Sequence, residues 1–206
     1  MKRTKTSKAW MKEHVNDFFV KQAKKEGYRS RAAYKLVEIA ERDRLIAPGM
    51  TIIDLGAAPG GWSQVAAEKL AGTGMVIAVD LLEMQAIPGV LFMQGDFREP
   101  QVLAEVKKKL EGRPPGLVIS DMSPNITGIS IVDQARGMEL AELALDFSVD
   151  QLNSGGNFLV KVFQGSGFEA FLNAMRTTFD RVVTRKPGAS RDRSSEIYLL
   201  GLGKRG

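Results

Sequence analysis

A glycine-rich turn between a strand-like and a helix-like stretch is the clearest chemical signal in this chain. The apolar run Ile52–Leu55 leads into Gly56, and Pro59-Gly60-Gly61 then opens a helix-like stretch, 61–70. Such strand–loop–helix units hold nucleotide-like ligands, because glycine has no Cβ to keep the backbone away from the ligand. The loop lacks the GxGxxG spacing of dinucleotide-binding loops and the Lys-Ser/Thr pair of triphosphate-binding loops. It therefore indicates another nucleoside-like cofactor.

Three aspartates occur at or near the ends of predicted strands, where an open α/β sheet binds its ligand. Asp54 precedes the glycine loop, Asp80 ends one strand, and Asp96 follows the next. An ionised carboxylate only accepts hydrogen bonds, so Asp80 suits the two hydroxyls of a ribose and Asp96 suits the amino group of an adenine. We expect Asp54 to organise the loop. Any one aspartate alone would more simply cap a helix, whereas all three beside this loop favour an adenosine-containing cofactor.

Four more charged residues stand in places that a folded sheet alone does not require. Asp121 ends a predicted strand, Lys161 lies inside an apolar strand, and Glu196 opens the last strand. Lys35 belongs to a predicted N-terminal helix. Each has an ordinary alternative explanation, such as a surface charge or a lysine whose stem is buried and whose ammonium reaches water. Spacing in the sequence does not bring the four together.

Alternating strands and helices must position these residues. The predicted strands are 51–55, 75–80, 90–93, 116–121, 157–163, 180–186 and 195–201, and the predicted helices between them are 61–70, 99–110, 134–152 and 167–178. This alternation predicts a parallel sheet with helices on both faces. The last two strands have no helix between them, so we expect an antiparallel hairpin. No linker divides the chain, and we expect one domain over residues 1–206.

The N-terminal segment carries the basic excess of the chain and two further predicted helices. Residues 1–35 hold eleven Lys/Arg against three Asp/Glu, which suggests either an RNA-facing surface or a solvated tail. One helix is predicted over 11–25 with an apolar face formed by Val15, Phe18, Phe19 and Ala23, and it ends at Gly27. A second is expected to be capped by Ser30 and to bury Leu36, Val37, Ile39 and Ala40.

Composition excludes several kinds of site. The chain has 206 residues, a net charge of +5, no cysteine and a single histidine, His14. Disulfides and thiolate metal sites are therefore excluded, and we expect no metal centre. The charged start lacks the apolar region of a secretory signal, and no apolar run approaches the length of a membrane span. We expect a cytoplasmic, monomeric protein without membrane association.

The full loop, DLGAAPGGWSQ at 54–64, resembles motif I of S-adenosylmethionine (SAM) methyltransferases and in particular of the RrmJ/FtsJ-type RNA ribose 2′-O-methyltransferases. The resemblance extends to SDMSPN at 120–125, GGNFLVKVFQG at 155–165, and RKP at 185–187 followed by SSE at 194–196. It implies a Rossmann-like fold with a seven-stranded, mostly parallel sheet. It also implies SAM contacts at Gly60, Trp62, Asp80, Asp96 and Asp121, where the Trp62 ring would pack on the ligand, and a catalytic tetrad formed by Lys35, Asp121, Lys161 and Glu196.

The chemistry implied by the resemblance suits these residue types. A ribose 2′-hydroxyl is a poor nucleophile that must lose its proton as it attacks the sulfonium methyl group, and no metal is needed. Lys161 is the candidate base, and it must act as a neutral amine although an unperturbed lysine, with a pKa of about 10.4, is protonated at neutral pH. Desolvation and the neighbouring cation Lys35 would favour the neutral form. Asp121 and Glu196 would oppose this effect, so they are assigned mainly to orienting Lys161 and the substrate, with Asp121 also near the methyl donor.

The resemblance also implies a substrate, a uridine in the A loop of 23S rRNA in the large ribosomal subunit. Seven basic residues flank the predicted tetrad as candidate phosphate contacts, namely Arg29, Arg31, Lys35, Arg185, Lys186, Arg191 and Arg193. Tyr28 and Tyr34 have two possible roles, stacking on a base or packing within the protein. Loop 122–136 is either a gate over the substrate or an ordinary connection.

Three other functions compete with this interpretation. The first is 2′-O-methylation of tRNA or of an mRNA cap. The second is an RNA-binding module without activity, which the intact tetrad and glycine loop disfavour. The third is a nicotinamide-dependent oxidoreductase, which the loop spacing disfavours.

Overall fold

Seven strands form one sheet in the computed structural model, which describes residues 17–125, 127–190 and 194–206. The strands are β1 (Thr51–Leu55), β2 (Met75–Asp80), β3 (Val90–Gln94), β4 (Leu117–Ser120), β5 (Asn157–Phe163), β6 (Phe179–Arg185) and β7 (Glu196–Lys204). The helices in this part of the chain are α1 (Phe18–Glu26), α2 (Ala33–Asp43), α3 (Gly61–Leu70), α4 (Pro100–Leu110), α5 (Ser130–Gln151) and α6 (Phe168–Thr178).

The strand order is β3-β2-β1-β4-β5-β7-β6. Strands β1 to β5 are parallel to one another, whereas β7 is antiparallel to both β5 and β6. The predicted α/β fold class, with its mostly parallel sheet and antiparallel ending, is confirmed. The last strand lies between β5 and β6, so it forms a direct ladder with the strand that carries Lys161.

Side chains of successive strand residues point to opposite faces of the sheet, and this alternation decides where the polar groups lie. One face packs against α4, α5 and α6 through residues such as Ile53 and Val160. The other packs against α2 and α3 through residues such as Ile52 and Leu159. Residues two positions apart in a strand share a face, so Asp54 and Lys161 lie on the same face as Ile52 and Leu159. Asp80 and Tyr198 also lie on this second face. Burial of each large apolar side chain there contributes about 1.5–3 kcal/mol.

The N-terminal helices differ in part from the predictions. Helix α1 starts at Phe18 because the Asp17 carboxylate accepts hydrogen bonds from the backbone N–H groups of Phe19 (3.0 Å) and Val20 (3.4 Å). It buries Val20 and Ala23 and leaves Phe18 69% exposed, so the predicted inward position of Phe18 is wrong. Val15 and residues 11–16 lie outside the described residues. Gly27 ends the helix, as predicted, and its backbone is left-handed.

The predicted cap at Ser30 is also wrong. Helix α2 begins at Ala33, and Ala32 occupies the cap position without a side-chain hydrogen bond. The Ser30 carbonyl accepts from the Ala33 N–H (3.2 Å) within a turn, so Ser30 lies too early in the chain to cap the helix. The predicted buried face of α2 is confirmed for Leu36, Ile39 and Ala40, while Val37 is only partly buried.

Candidate active site

A cavity of about 580 Å³ opens at the carboxyl ends of β1 to β4. Its walls are the glycine loop, segments 79–82, 95–98 and 121–125, and three side chains of α5. Of the predicted cofactor residues, the wall includes Gly56, Asp80, Asp96 and Asp121. Asp54, Gly60 and Trp62 are not among the wall residues. Cavities of this size are typical of small-molecule sites.

Asp80 joins the two turns that flank the cavity. One carboxylate oxygen, Oδ2, accepts from the Ala58 N–H (2.8 Å) in the glycine loop, and the other, Oδ1, accepts from the Leu82 N–H (2.7 Å). A carboxylate oxygen has two lone pairs, so both oxygens keep the capacity to accept another hydrogen bond. Asp80 thus shapes the loop and can still accept hydroxyl groups in the cavity.

Asp96 is held by a residue of its own turn. The Arg98 guanidinium donates Nε–H to Oδ1 (2.9 Å) and Oδ2 (2.9 Å) and Nη2–H to Oδ2 (2.6 Å), and the Arg98 backbone N–H donates to Oδ1 (2.9 Å). These bonds from Arg98 lower the pKa of the Asp96 carboxyl, although partial burial opposes them. Asp96 is therefore an ionised acceptor whose orientation is set by Arg98.

Asp54 lies beneath the loop and contacts α3 instead of the cavity. Its Oδ2 accepts from the Ser63 hydroxyl (2.6 Å), which connects β1 to the first turn of α3. Burial raises the pKa of Asp54 to about 7, the bonds from Ser63 oppose this rise, and the charges of Asp121 and Asp80 add to it. This position agrees with the expected role of Asp54 in organising the loop.

The loop glycines are needed for packing as well as for backbone conformation. Gly56 and Gly60 have φ values of +72° and +107°. A Cβ at Gly56 would overlap the Met122 side chain, and one at Gly60 would lie 2.7 Å from Ile87 Cδ1. Close neighbours on both sides of the loop therefore restrict these positions to glycine, in addition to any approach of a ligand.

Four charged side chains from distant parts of the chain meet beside the cavity, as the resemblance implied. Lys161 Nζ lies 3.2 Å from Asp121 Oδ1 and donates to the Asp121 backbone carbonyl (2.7 Å). Lys35 Nζ lies 2.7 Å from Glu196 Oε1 and 4.0 Å from Asp121 Oδ1. Only 6% of Lys161 and 8% of Lys35 are exposed, so these are buried charges in a paired network. We call these four residues the charged cluster.

The protonation of the charged cluster is set by burial and by its internal pairing. Burial raises the pKa of the Asp121 carboxyl, but the charges of Lys161 and Lys35 and a hydrogen bond from Tyr198 outweigh it, and the net shift is downward. Burial, followed by the charges of Asp121 and Glu196, raises the pKa of Tyr198 well above its usual range. Asp121 is therefore an anion, and Tyr198 is a neutral hydroxyl donor at neutral pH.

Comparison with known proteins agrees with this geometry. Residues 28–204 match the model of the FtsJ-like methyltransferase family. The chain belongs to that family. It is 77% identical to the "Ribosomal RNA large subunit methyltransferase E" of Nitrosospira multiformis, with full coverage of both chains. It is 66% identical to the protein of the same name from Methylobacillus flagellatus, over 100% of this chain and 99% of the relative.

A solved structure shows the same fold. A ribosomal RNA methyltransferase from Plasmodium falciparum superposes with a TM-score of 0.78 at 30% identity, over 87% of this chain and 100% of that one. The predicted family, fold and methyltransferase class are thus confirmed.

Trp62 is placed differently from the expectation that its ring packs on a ligand. The side chain is 3% exposed, and its indole N–H donates to the Ala32 carbonyl (2.8 Å) on the side of α2. Its ring centroid lies 5.7 Å from that of Tyr198. The indole therefore packs behind the charged cluster, against Tyr198 and the start of α2.

Three partners of the charged cluster were missed in the sequence. The Tyr198 hydroxyl donates to Asp121 Oδ1 (2.7 Å), and Tyr198 lies opposite Lys161 in the β5–β7 ladder. Its position two residues after Glu196, on the same face of a strand, was a readable signal. The Ser190 hydroxyl donates to Glu196 Oε1 (3.0 Å), and Ser123 Oγ accepts from Lys161 Nζ. No sequence pattern indicated the two serines.

Most of the basic residues expected to contact phosphates are bonded within this methyltransferase. Arg29 donates Nη1–H to the carbonyls of Pro59 (3.1 Å) and Gln85 (2.7 Å) and Nη2–H to that of Ala86 (2.7 Å). Arg31 contacts Asp17 and the Ala189 carbonyl. These two side chains connect the turn before α2 to the cavity loops and to α1.

The basic residues near β7 show the same behaviour. Arg185 makes a bidentate pair with Asp43, at 2.8 and 2.5 Å. Lys186 Nζ donates to the carbonyls of Ser194 (2.8 Å) and Glu196 (2.5 Å). Arg191 and Arg193 lie outside the described residues.

Tyr28 and Tyr34 pack within the protein, and part of loop 122–136 is helical. The Tyr28 and Tyr34 rings meet edge to face at 5.5 Å, and their hydroxyls donate to Glu68 (2.9 Å) and Glu26 (2.7 Å). Helix α5 starts at Ser130 and not at residue 134, so the second half of loop 122–136 is helical. The Asp133 carboxylate holds the preceding turn by accepting from Thr127 (2.8 Å).

The described residues contain neither a candidate metal centre nor a helix that could span a membrane. Within residues 17–125, 127–190 and 194–206, His, Cys, Asp and Glu side chains do not group in threes that could hold a metal ion. The helices over these same ranges are too short or too polar to cross a membrane.

Proposed function

We propose that this chain transfers a methyl group from SAM to a ribose 2′-hydroxyl in the RNA of the large ribosomal subunit. The observation that carries the proposal is the position of Asp121. Asp121 lies on the cavity wall, and its carboxylate pairs with Lys161 and Lys35. A cofactor in the cavity would thus lie beside the residue that pairs with Lys161, the proposed proton acceptor.

The hydrogen-bond acceptors on the cavity wall suit the donors of SAM. Asp80 retains a lone pair on each oxygen for the two ribose hydroxyls. Each Asp96 oxygen already accepts two contacts from Arg98, so the adenine amino group would bond to Asp96 in exchange for one of them. We assign Gly56, Gly60 and Trp62 to backbone contacts and Asp54 to support of the loop. Asp121 is an anion on the cavity wall and suits the neighbourhood of a sulfonium. When bound, SAM supplies a methyl group that is already activated for transfer.

The charged cluster supplies the remaining chemistry. Lys161 accepts the proton of the 2′-hydroxyl, and such general-base catalysis contributes about 10²- to 10⁴-fold in rate. Asp121 orients the Lys161 amine through both its carbonyl and its carboxylate. Glu196 pairs with Lys35, so the Lys35 cation is held near Lys161 without an unpaired charge. All four side chains come from one chain, which supports action as a monomer.

The substrate assignment rests on relatives and on motifs. Both bacterial relatives are named as large-subunit ribosomal RNA methyltransferases, which favours rRNA over tRNA or an mRNA cap. The resemblance of SDMSPN to the bacterial branch supports a uridine of the 23S A loop. We assign phosphate contacts in the basic N-terminal segment to the exposed lysines of α1, Lys21, Lys24 and Lys25, because Arg29 and Arg31 are engaged within the protein.

Labelling with tritiated SAM tests the proposal. Large subunits and free 23S rRNA from cells that lack this methylation, together with tRNA and a capped transcript, are incubated with the enzyme, and the labelled nucleotide is mapped. We expect label on a 2′-oxygen of large-subunit RNA. Label confined to tRNA or to the cap would replace the substrate, and label on a base would refute ribose methylation.

A further inference from the structure

The Lys161 amine is surrounded by three oxygen atoms. They are the Asp121 backbone carbonyl oxygen at 2.7 Å, Asp121 Oδ1 at 3.2 Å, and the hydroxyl oxygen of Ser123. An ammonium group has three N–H donors, so each donor has an acceptor in this arrangement. Ser123 supplies the one contact of the three that does not come from Asp121.

Ser123 also differs from the other two acceptors in position. It is solvent-exposed and lies on the cavity wall, whereas Lys161 is buried behind the wall. The Ser123 hydroxyl therefore lies where the cavity meets the Lys161 amine. A serine hydroxyl is uncharged and both donates and accepts, so it bonds to an ammonium as acceptor and to a neutral amine as donor.

Four titratable groups lie around Lys161 on its face of the sheet. Asp121 follows β4, Tyr198 faces Lys161 from β7, Lys35 reaches in from α2, and Glu196 pairs with Lys35. Their charges act on the amine whether or not Ser123 is present. Removal of the Ser123 hydroxyl therefore changes one hydrogen bond and no charge.

We propose that Ser123 is a positioning residue that strengthens Lys161 as the proton acceptor in methyl transfer. The proposal rests on the proposed function. As the 2′-oxygen bonds to the methyl carbon and the S–C bond breaks, the hydroxyl proton passes to Lys161 Nζ, and Ser123 keeps its own proton. A hydrogen bond to an ionised group is roughly twice as strong as a neutral one. The Ser123 contact thus strengthens as the ammonium forms, which lowers the barrier.

Variants at position 123 test this role on large ribosomal subunits. For Ser123→Ala we expect kcat to fall about ten-fold, the size of one charge-assisted hydrogen bond, with KM for SAM within about two-fold of wild type. The acid side of the kcat profile should move by about half to one pH unit to lower pH, because the amine then binds its proton less tightly. Ser123→Thr keeps the hydroxyl and should restore both values.

Two further variants make the result decisive. Ser123→Cys keeps the size but bonds weakly, so it should resemble Ser123→Ala. Ser154→Ala removes an exposed serine from the turn before β5 and should behave as wild type. An unshifted pH profile in Ser123→Ala and Ser123→Cys, or a raised KM for SAM at normal kcat, overturns the positioning role. Failure of the wild type to methylate ribose would instead overturn the proposed function.

Discussion

The cofactor cavity and the charged cluster meet at Asp121 but are held in different ways. Around the cavity, carboxylates bond to groups nearer in the chain: Asp80 to Leu82 and Ala58, two and 22 residues away, and Asp54 to Ser63, nine residues away. In the charged cluster, Asp121 bonds to Lys161 and Tyr198 across 40 and 77 residues. The first region is assembled by turns that follow neighbouring strands, and the second only by the completed sheet.

This difference has energetic consequences. Each cavity carboxylate has its own partners, so changes there should act independently. Asp121 Oδ1 is shared by Lys161, Lys35 and Tyr198. Residues that share a partner show non-additive effects, which reach about 0.5–3 kcal/mol. The two regions also have different proposed roles. Substitutions in the cavity should change cofactor affinity, and substitutions in the charged cluster should change turnover.

The largest expected effect is that of Lys161→Ala. Loss of the proton acceptor should lower the rate of methyl transfer by about 10²- to 10⁴-fold, while calorimetry should show SAM binding close to wild type. Lys69→Ala, which removes a surface lysine paired with Glu41, is the matched control. Near-normal turnover in Lys161→Ala would contradict the assignment of Lys161 as the proton acceptor.

The next effect in size concerns Asp80→Ala. This change removes the acceptors of the Ala58 and Leu82 N–H groups and of the cofactor ribose, so Kd for SAM should rise about 100-fold. Turnover at saturating SAM should stay within a few-fold of wild type, and Asp150→Ala, at an exposed site at the end of α5, should change neither value. A loss of turnover with unchanged Kd would show that the two regions are not separable.

A smaller effect separates two kinds of basic residue in the N-terminal segment. Arg29→Ala loses three hydrogen bonds to cavity loops, so SAM affinity should fall about ten-fold, with little change in RNA binding. Lys24→Ala should leave SAM affinity intact. It should reduce the slope of log binding constant against log salt concentration for RNA by about one. Filter binding over a salt series, with calorimetry for SAM, measures both. The reverse pattern would assign Arg29 to RNA contact.

The smallest effect on activity is expected for Asp54→Asn, which should change the pH dependence of stability. Burial raises the pKa of Asp54 to about 7, against about 3.9 in an unfolded chain. Between these values the folded protein holds a proton that the unfolded chain releases, so this contribution to stability is lost as pH rises toward 7. Thermal melts of wild type and Asp54→Asn should diverge over this range. Parallel curves would contradict the assigned burial.

The sequence predicted the locally built region well and the long-range region only through resemblance. The glycine loop and the strands follow from patterns of neighbouring residues, and the structure places Asp80, Asp96 and Gly56 on the cavity wall. Nothing in the spacing of Lys35 and Lys161 indicates that they converge. The partners of Arg29 lie 30 to 57 residues away, so its internal role was equally hidden.

Two errors at helix starts remain. Helix α5 begins at Ser130, earlier than predicted, and includes the β-branched residues Ile131 and Val132, whose helix propensity is low. Ser30 has a good capping side chain, but its turn bonds to α3 instead: the Gln64 side chain accepts from the Arg29 N–H (2.9 Å). Propensity could not anticipate either outcome.

The place of β7 in the sheet has a consequence for biosynthesis. Residues 196–204 are translated after every other strand, yet they must insert between β5 and β6. Until then the hydrogen-bonding groups of β5 and β6 that face β7 are unpaired, and such open edges promote association between chains. A nascent chain that ends before residue 196 has the groups of the cofactor cavity but lacks Glu196 and Tyr198. The order of translation therefore makes catalytic competence the last property that this enzyme acquires.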